Sequence, residues 1–410
     1  MIERVDTFRR WFRLVVDGVP LAEVGGGELE RSGTVLYRER ILGSVACGLA
    51  RCGQPGVLPE GVRAMASRME HVQRELDEQL RRLVALEPRL AEDAVVLKGV
   101  AVQRWWPQGL RRNFGDIDLA VLSEAAFWRV CRCLVHGAGF EIGSLGGAYR
   151  RRPEDDWAFS GGFVWRAGSD VPVWIEMHHG FFLPTGSYAL DLAPVILDAS
   201  VQARRAHSAP APMPVPSRSA CLRLLLAEVS SRPLILRDAI DFHFLVLGDG
   251  KTRALSGSDV DRACADDLLR GQFHRLAALH LRMSQRDLAG EIGEALRERS
   301  GRLRMAAWRR AADWHRLRER VDELSLWQRA GMSRTVSAVK AQRMTGVLRL
   351  LHLGPEPRGA ARWMADRHGA LFLLTPLGPY VATPSQMFSE QFVERMTGGL
   401  RELGELPPRA

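Results

Sequence analysis

Lysine is almost missing from this chain. Of 57 basic residues only Lys98, Lys251 and Lys340 are lysine, and the other 54 are arginine. Alanine, glycine and arginine are abundant throughout, the mark of a GC-rich coding bias. A single arginine therefore carries little information and a lysine carries more. Long apolar runs are absent as well: none approaches the roughly 20 residues a bilayer span needs, which argues against a membrane protein. The first residues, MIERVDTFRRWFRLVVDG, mix acids with bases and lack a small-residue cleavage site, so they do not read as a secretory signal. The six cysteines form no CxxC pair. Reduced thiols and a cytoplasmic location are the expectation. No stretch carries five or more like charges, and no RRM, KH or zinc-finger signature occurs. The net charge of +9 suits a polyanionic partner, and equally an arginine-biased solvated surface.

What is present is globular: 46% hydrophobic and 26% charged over 410 residues, enough for about two to three domains. The expected fold class is α+β, a small mixed β-sheet core flanked by largely helical N- and C-terminal regions. Residues 1–94 read as helical, with Met69, Val72, Leu76, Leu80, Leu83 and Leu86 near helical spacing. Residues 95–200 change character. AVVLKG is a buried strand ending in glycine, VAVQRWWPQGLRR a short helix stopped by Pro107, and GDIDLAVL a strand. EAAFWRVCRCLVHGAGF is a helix with Phe127, Val130, Cys131 and Leu134 on one side, and FVWRAGSDVPVWIEMHHGFF a hairpin. The proline-rich SAPAPMPVPSRS is an extended connector. Residues 201–330 are otherwise helical, and 331–410 are mixed, with one or two strands in GALFLLTPLGPYVATPS.

GDIDL is the most informative string. On a strand, residues i and i+2 face one side, so Asp116 and Asp118 project together while Ile117 and Leu119 enter the core. Two acids on one face repel unless water solvates them or a cation bridges them. The bland reading is a solvent-facing strand; the chemical one is a divalent metal site. In VPVWIEMHH the same alternation puts Trp174, Glu176 and His178 on one face, offering a third carboxylate from a second strand. Three such acids can hold two Mg²⁺ ions. Lys98 and Gly99 end the first strand where a helix begins, a place suited to phosphate. Arg112, four residues before Asp116, is within reach of the same phosphates.

Together LKG–x₁₂–R–xxx–DID–x₅₇–E resembles the DNA polymerase β-type nucleotidyltransferase superfamily. More narrowly, VVLKGVAVQRWWPQGLRRNFGDIDLAVL, with the later VWIEMHH, resembles a bacterial family of uncharacterised nucleotidyltransferases. The resemblance covers about residues 95–180 and extends more weakly to LILRDAIDFHFLV. It implies that Asp116, Asp118 and Glu176 bind metal and act in catalysis, with Glu176 bridging metal or serving as base. It implies that Lys98, Gly99 and Arg112 lie at the nucleotide phosphates and that His178 supports Glu176 or contacts substrate. The superfamily's Gly-Ser turn reads Lys98-Gly99-Val100 here, so its phosphate-touching serine is absent. The implied reaction moves NMP from an NTP to an acceptor with release of pyrophosphate, using Mg²⁺. A peptide or other small biosynthetic intermediate is the first choice of acceptor, and a tRNA or protein the second. A non-catalytic nucleotide- or partner-binding module on the same fold is a further alternative. No feature assigns a base or an oligomeric state.

Other residues carry two readings. Trp174 shares a face with Glu176 and is a candidate substrate contact. Trp105, Trp106, Trp308, Trp314 and Trp327 read as core before base-stacking. Arg237 and Asp241 are spaced for a local i,i+4 ion pair; a functional reading puts Arg237 on a phosphate and Asp238 on the acceptor. His178 and His179 point to opposite faces and cannot chelate one ion together.

Overall fold

The computed structural model describes residues 2–21, 33–150, 157–165, 172–182, 190–205, 213–230, 232–248, 253–284, 346–352, 361–365, 371–383 and 396. Helices α1 (Ile2–Asp17), α2 (Leu42–Arg51) and α3 (Glu60–Leu86) come first. The 27 residues of α3 make a rod of about 40 Å that buries Val62, Leu76, Leu80 and Leu83 along one side. Strand β1 (Ala94–Leu97) is buried at every position and runs directly into α4 (Lys98–Gln103). Strand β2 (Asp116–Val121) leads to α5 (Glu124–Arg132), whose N-terminus is capped by Ser123: its hydroxyl accepts from the Ala126 N–H at 3.2 Å.

Three strands follow: β3 (Glu141–Arg150), β4 (Ala158–Trp165) and β5 (Val173–His179). The sequence expected β4 and β5 as a hairpin, and they pair antiparallel; the turn itself lies outside the described residues. Strand β3 was not foreseen. It contains Gly143, Gly146 and Gly147, poor strand formers, and its pairing with β4 shifts register twice. At Gly143 a Cβ would fall 2.7 Å from the Trp174 ring, so the missing side chain makes room for the tryptophan.

A pair of two-residue strands, β6 (Phe181–Phe182) and β7 (Leu190–Asp191), leads to the helical half. That half contains α6 (Ala193–Arg205), α7 (Arg218–Val229), α8 (Leu236–Val246), α9 (Gly257–Ala263) and α10 (Asp267–Ser284). Helix α8 is buried on all sides, with α1, α7 and α10 against it, and α4 lies on α7. Strands β8 (Gly346–His352), β9 (Arg362–Ala365), β10 (Leu371–Thr375) and β11 (Gly378–Thr383) are the last strands among the described residues. The expected strands in GALFLLTPLGPYVATPS are the β10–β11 hairpin.

The fold is α+β. A mixed five-stranded core runs β1-β2-β5-β4-β3, and β3 pairs with β8 to continue it through β11, β10 and β9. Strand β2 is antiparallel to β1 and parallel to β5, so its two neighbours present their residues to it at fixed register. The helix expected up to Pro107 ends at Gln103, and turns carry the chain on to β2. The tryptophans at 308, 314 and 327 lie outside the described residues.

Candidate active site

The site is a consequence of strand register. In the parallel β2–β5 pair Asp116 lies beside Trp174, Asp118 beside Glu176 and Ala120 beside His178. Since alternate residues share a face, Asp116, Asp118, Trp174, Glu176 and His178 all rise from one side of the sheet. Ile117, Leu119, Ile175 and Met177 enter the core on the other, at 0–1% exposure. Burying each such chain is worth about 1.5–3 kcal/mol, which locks the register that aligns the acids.

On the far side of β2, Leu97 pairs with Asp118, and the next residue is Lys98. Lys98 has φ +43°, a left-handed conformation that costs a side-chain-bearing residue roughly 1–2 kcal/mol. Its Nζ lies 2.5 Å from Asp118 Oδ1 and 3.8 Å from Glu176 Oε2. His178 Nε2 faces the same Asp118 oxygen at 3.4 Å and Glu176 at 3.9 Å. Ligand atoms of Asp118, Glu176 and His178 lie within 4.8 Å of one another, close enough to converge on one metal ion. Carboxylate oxygens suit a hard divalent cation, whereas an imidazole nitrogen is a ligand of transition metals, so the two carboxylates fit the expected metal and His178 stands beside them. Asp116 stands one residue pair away, beside Trp174.

The acids sit in different electrostatic states. Burial works against the charge of Asp118, but Lys98 and His178 outweigh it and hold the carboxyl below its usual range. Burial, then the Asp118 charge, raises Asp116. The same two causes push half-exposed Glu176 up to about 7. Burial lowers His178, favouring the neutral imidazole. For Lys98 burial opposes the charge, yet Asp118, Glu228 and Glu176 together hold the ammonium well above its ordinary value.

The segment before β2 is pinned from three elements. Ser44 of α2 donates to the Arg111 carbonyl at 2.7 Å and its N–H reaches Asn113 Oδ1 at 3.2 Å. Gln103 of α4 donates to the Leu110 carbonyl at 3.0 Å, and Gln73 of α3 donates to the Arg112 carbonyl. Arg112 itself is buried and forks onto Asp241 of α8, Nε to Oδ1 at 2.8 Å and Nη2 to Oδ2 at 2.8 Å. Trp106 Nε1 donates to the same Asp241 at 3.1 Å, which accounts for that tryptophan as a core residue. Gly99 lies beneath this arginine: a Cβ there would fall 2.7 Å from Phe114 Cβ and 3.2 Å from Arg112 Nη1.

Behind the site is an ion network that only partly follows the sequence spacing. Asp241 is spent on Arg112, leaving Arg237, its i,i+4 partner, at 3.8 Å. Buried Arg237 approaches Glu228 of α7 at 3.6 Å, and burial together with Arg112 lowers it to about 10. Asp238 is fully buried; it takes a two-pronged contact from Arg232 at 2.7 and 2.8 Å and accepts from the Ile235 N–H at 2.9 Å. Its carboxylate is thus committed to Arg232 and to the start of α8. Glu228 and Arg232 escaped the sequence reading because nothing in AEVSSRP marks them apart from any surface pair. Burial opposes the Glu228 charge, but Arg232 and Arg237 hold it far below the ordinary carboxyl range.

A cavity of about 650 Å³ opens beside Asp116 and Glu176. Tyr37, Arg38 and Arg40 form one wall, Met69 and Val72 of α3 another, and Phe114 and Trp174 line it nearer the strands. Arg38 and Arg40 are exposed. Nothing in the sequence tied the wall residues before β1 to the strands, because the fold alone brings them there. Among the residues expected at the site, the structure gathers Lys98, Asp118, Glu176 and His178 in one cluster. It sets Asp116 and Trp174 on the cavity, Arg112 against Gly99, and Arg237 and Asp238 in the network behind.

A family model described as an uncharacterised nucleotidyltransferase matches residues 29–255, more than half of the chain. No curated protein matches the chain.

Proposed function

Since the chain belongs to the uncharacterised nucleotidyltransferase family, we propose that it transfers NMP from an NTP to a small-molecule or peptide acceptor and releases pyrophosphate. The observation that carries this reading is the Asp118–Glu176 pair of β2 and β5, set inside the family-matched region with a lysine ammonium on Asp118. The proposed catalytic unit is residues 95–200, followed in sequence by a second proposed domain, 201–330, in a cytoplasmic protein. No helix among the described residues is long and apolar enough to cross a membrane.

Asp116, Asp118 and Glu176, with His178 beside them, would hold Mg²⁺. When bound, it would neutralise phosphate charge and orient the reacting oxygens. The protein's own groups do the rest. Lys98 sets a positive charge on the carboxylate row, against which the triphosphate is drawn. Arg112 and Arg237 stand behind the site, their charges balanced by Asp241 and Glu228. The acceptor oxygen, held in the cavity, attacks the α-phosphorus; its proton passes to Glu176. The bond from the α-phosphorus to the bridging oxygen breaks, and both its electrons leave with pyrophosphate. A cavity of about 650 Å³ bordered by Trp174, Phe114 and two arginines favours a compact acceptor with apolar and anionic parts over a nucleic-acid groove.

The test supplies each NTP labelled at the α-phosphate, with Mg²⁺ and a small-molecule and peptide extract, and looks for a new labelled product. Asp116→Asn and Asp118→Asn are expected to reduce its formation by at least about 100-fold. Undiminished transfer in both variants contradicts the assignment.

A further inference from the structure

The lysine at the carboxylate row has a more specific role than a general attraction for phosphate. Lys98 keeps a left-handed backbone that only Arg40 shares among the described non-glycine residues. Such strain persists where the surroundings impose it. Its effect is to carry the ammonium from the end of β1 to a point between carboxylates of β2 and β5, 2.5 Å from Asp118 Oδ1 and 3.8 Å from Glu176 Oε2. That is where a cation bridging the two acids would stand. Asp118 Oδ1 also faces His178 Nε2 at 3.4 Å, so this oxygen is crowded already. A divalent ion demanding oxygen at about 2.0–2.1 Å, as Mg²⁺ does, would have to displace the ammonium to use it. The charge agrees. Asp116, Asp118 and Glu176 together carry three negative charges when ionised, and Lys98 leaves two, the charge of one divalent ion.

We propose that the Lys98 ammonium takes the place of one of the two metal ions the sequence pattern leads one to expect, so that each chain binds a single divalent cation. The inference rests on the nucleotidyltransferase reading and adds that the site is a one-ion site with a built-in second cation. A fixed ammonium neutralises charge and has no open coordination position, so only the remaining cation site takes a metal.

Mn²⁺ binding to the full chain tests this by stoichiometry, read from the resonance of free Mn²⁺ during titration. Wild type is expected to bind one tight ion per chain, Lys98→Arg one, and Lys98→Met two, because the neutral side chain vacates the bridging place. A second expectation needs no turnover: Mn²⁺ raises the melting temperature of Lys98→Met more than that of wild type, since it restores the lost partner of buried Asp118. Two ions in wild type, or one in a folded Lys98→Met, overturn the inference. If Lys98→Met does not fold, the wild-type stoichiometry alone decides between one and two. Failure of all three proteins to bind Mn²⁺ removes the metal site itself, and with it both the proposed reaction and this refinement. Two ions in wild type would remove only the refinement.

Discussion

Asp118 is the residue on which most of the site's energy converges. It is 1% exposed, yet ionised, because Lys98 and His178 face one of its oxygens. A buried charge that loses its partner costs about 3–5 kcal/mol. The same logic applies at Arg112, whose fork onto Asp241 is buried on both sides. Arg112→Ala is expected to destabilise the fold by about 3–5 kcal/mol, read as a lowered denaturant midpoint at constant slope. A loss under about 1 kcal/mol would mean the pair is not the anchor described here. Glu228 yields a pH prediction. Its folded-state carboxyl is held far below the ordinary range by Arg232 and Arg237, so its contribution to stability is full above about pH 4.5 and fades as the pH falls through the folded value. Glu228→Gln should therefore melt lower than wild type at pH 7, and the gap should narrow below pH 4. A gap independent of pH would contradict the ion-pair account.

At the scale of elements, the site is where β1, β2 and β5 present their ends and faces to one another. The turn from β1 into α4 is tight because Phe114 and Arg112 occupy the space a side chain at residue 99 would need. Gly99→Ala must push against Phe114 Cβ, not a flexible side-chain tip. We expect it to cost about 1–3 kcal/mol, an overpacking penalty seen as a lower melting temperature. An unchanged melting temperature would show that α4 can shift away freely. Helix α8 plays a supporting part: Arg237, Asp238 and Asp241 tie it to the segment before β2 and to α7. Arg237 and Asp241 looked like a local pair by spacing, but a fork from Arg112, 129 residues away in sequence, claimed the aspartate. Helical periodicity reports neighbours on one helix and is silent about partners from elsewhere.

For the molecule as a whole, legibility followed the range of the interactions. The DIDL strand, the helix of α3 and the Trp174–Glu176–His178 face were readable because alternation and helical spacing are local. The alignment of Asp118 with Glu176 was readable as far as the shared face, while the parallel register that sets them side by side belongs to the sheet. Strand β3 hid behind its glycines, one of which, Gly143, leaves room for the Trp174 ring. The cavity wall of Tyr37, Arg38 and Arg40 was hidden for a different reason. It is built from the chain before β1, about 80 residues from Asp116, and nothing local marks it. Likewise β8 joins β3 across about 200 residues to continue the sheet, a pairing that no composition or period announces. The claim most worth testing is that the face of β2 binds a nucleotide through metal. Calorimetric titration of ATP, GTP, CTP and UTP, with and without Mg²⁺, into wild type and Asp118→Asn tests it most directly. At least one NTP is expected to bind only with Mg²⁺ and to lose that binding in Asp118→Asn; binding that persists unchanged without Mg²⁺ and in the variant would contradict a metal-dependent nucleotide site on β2.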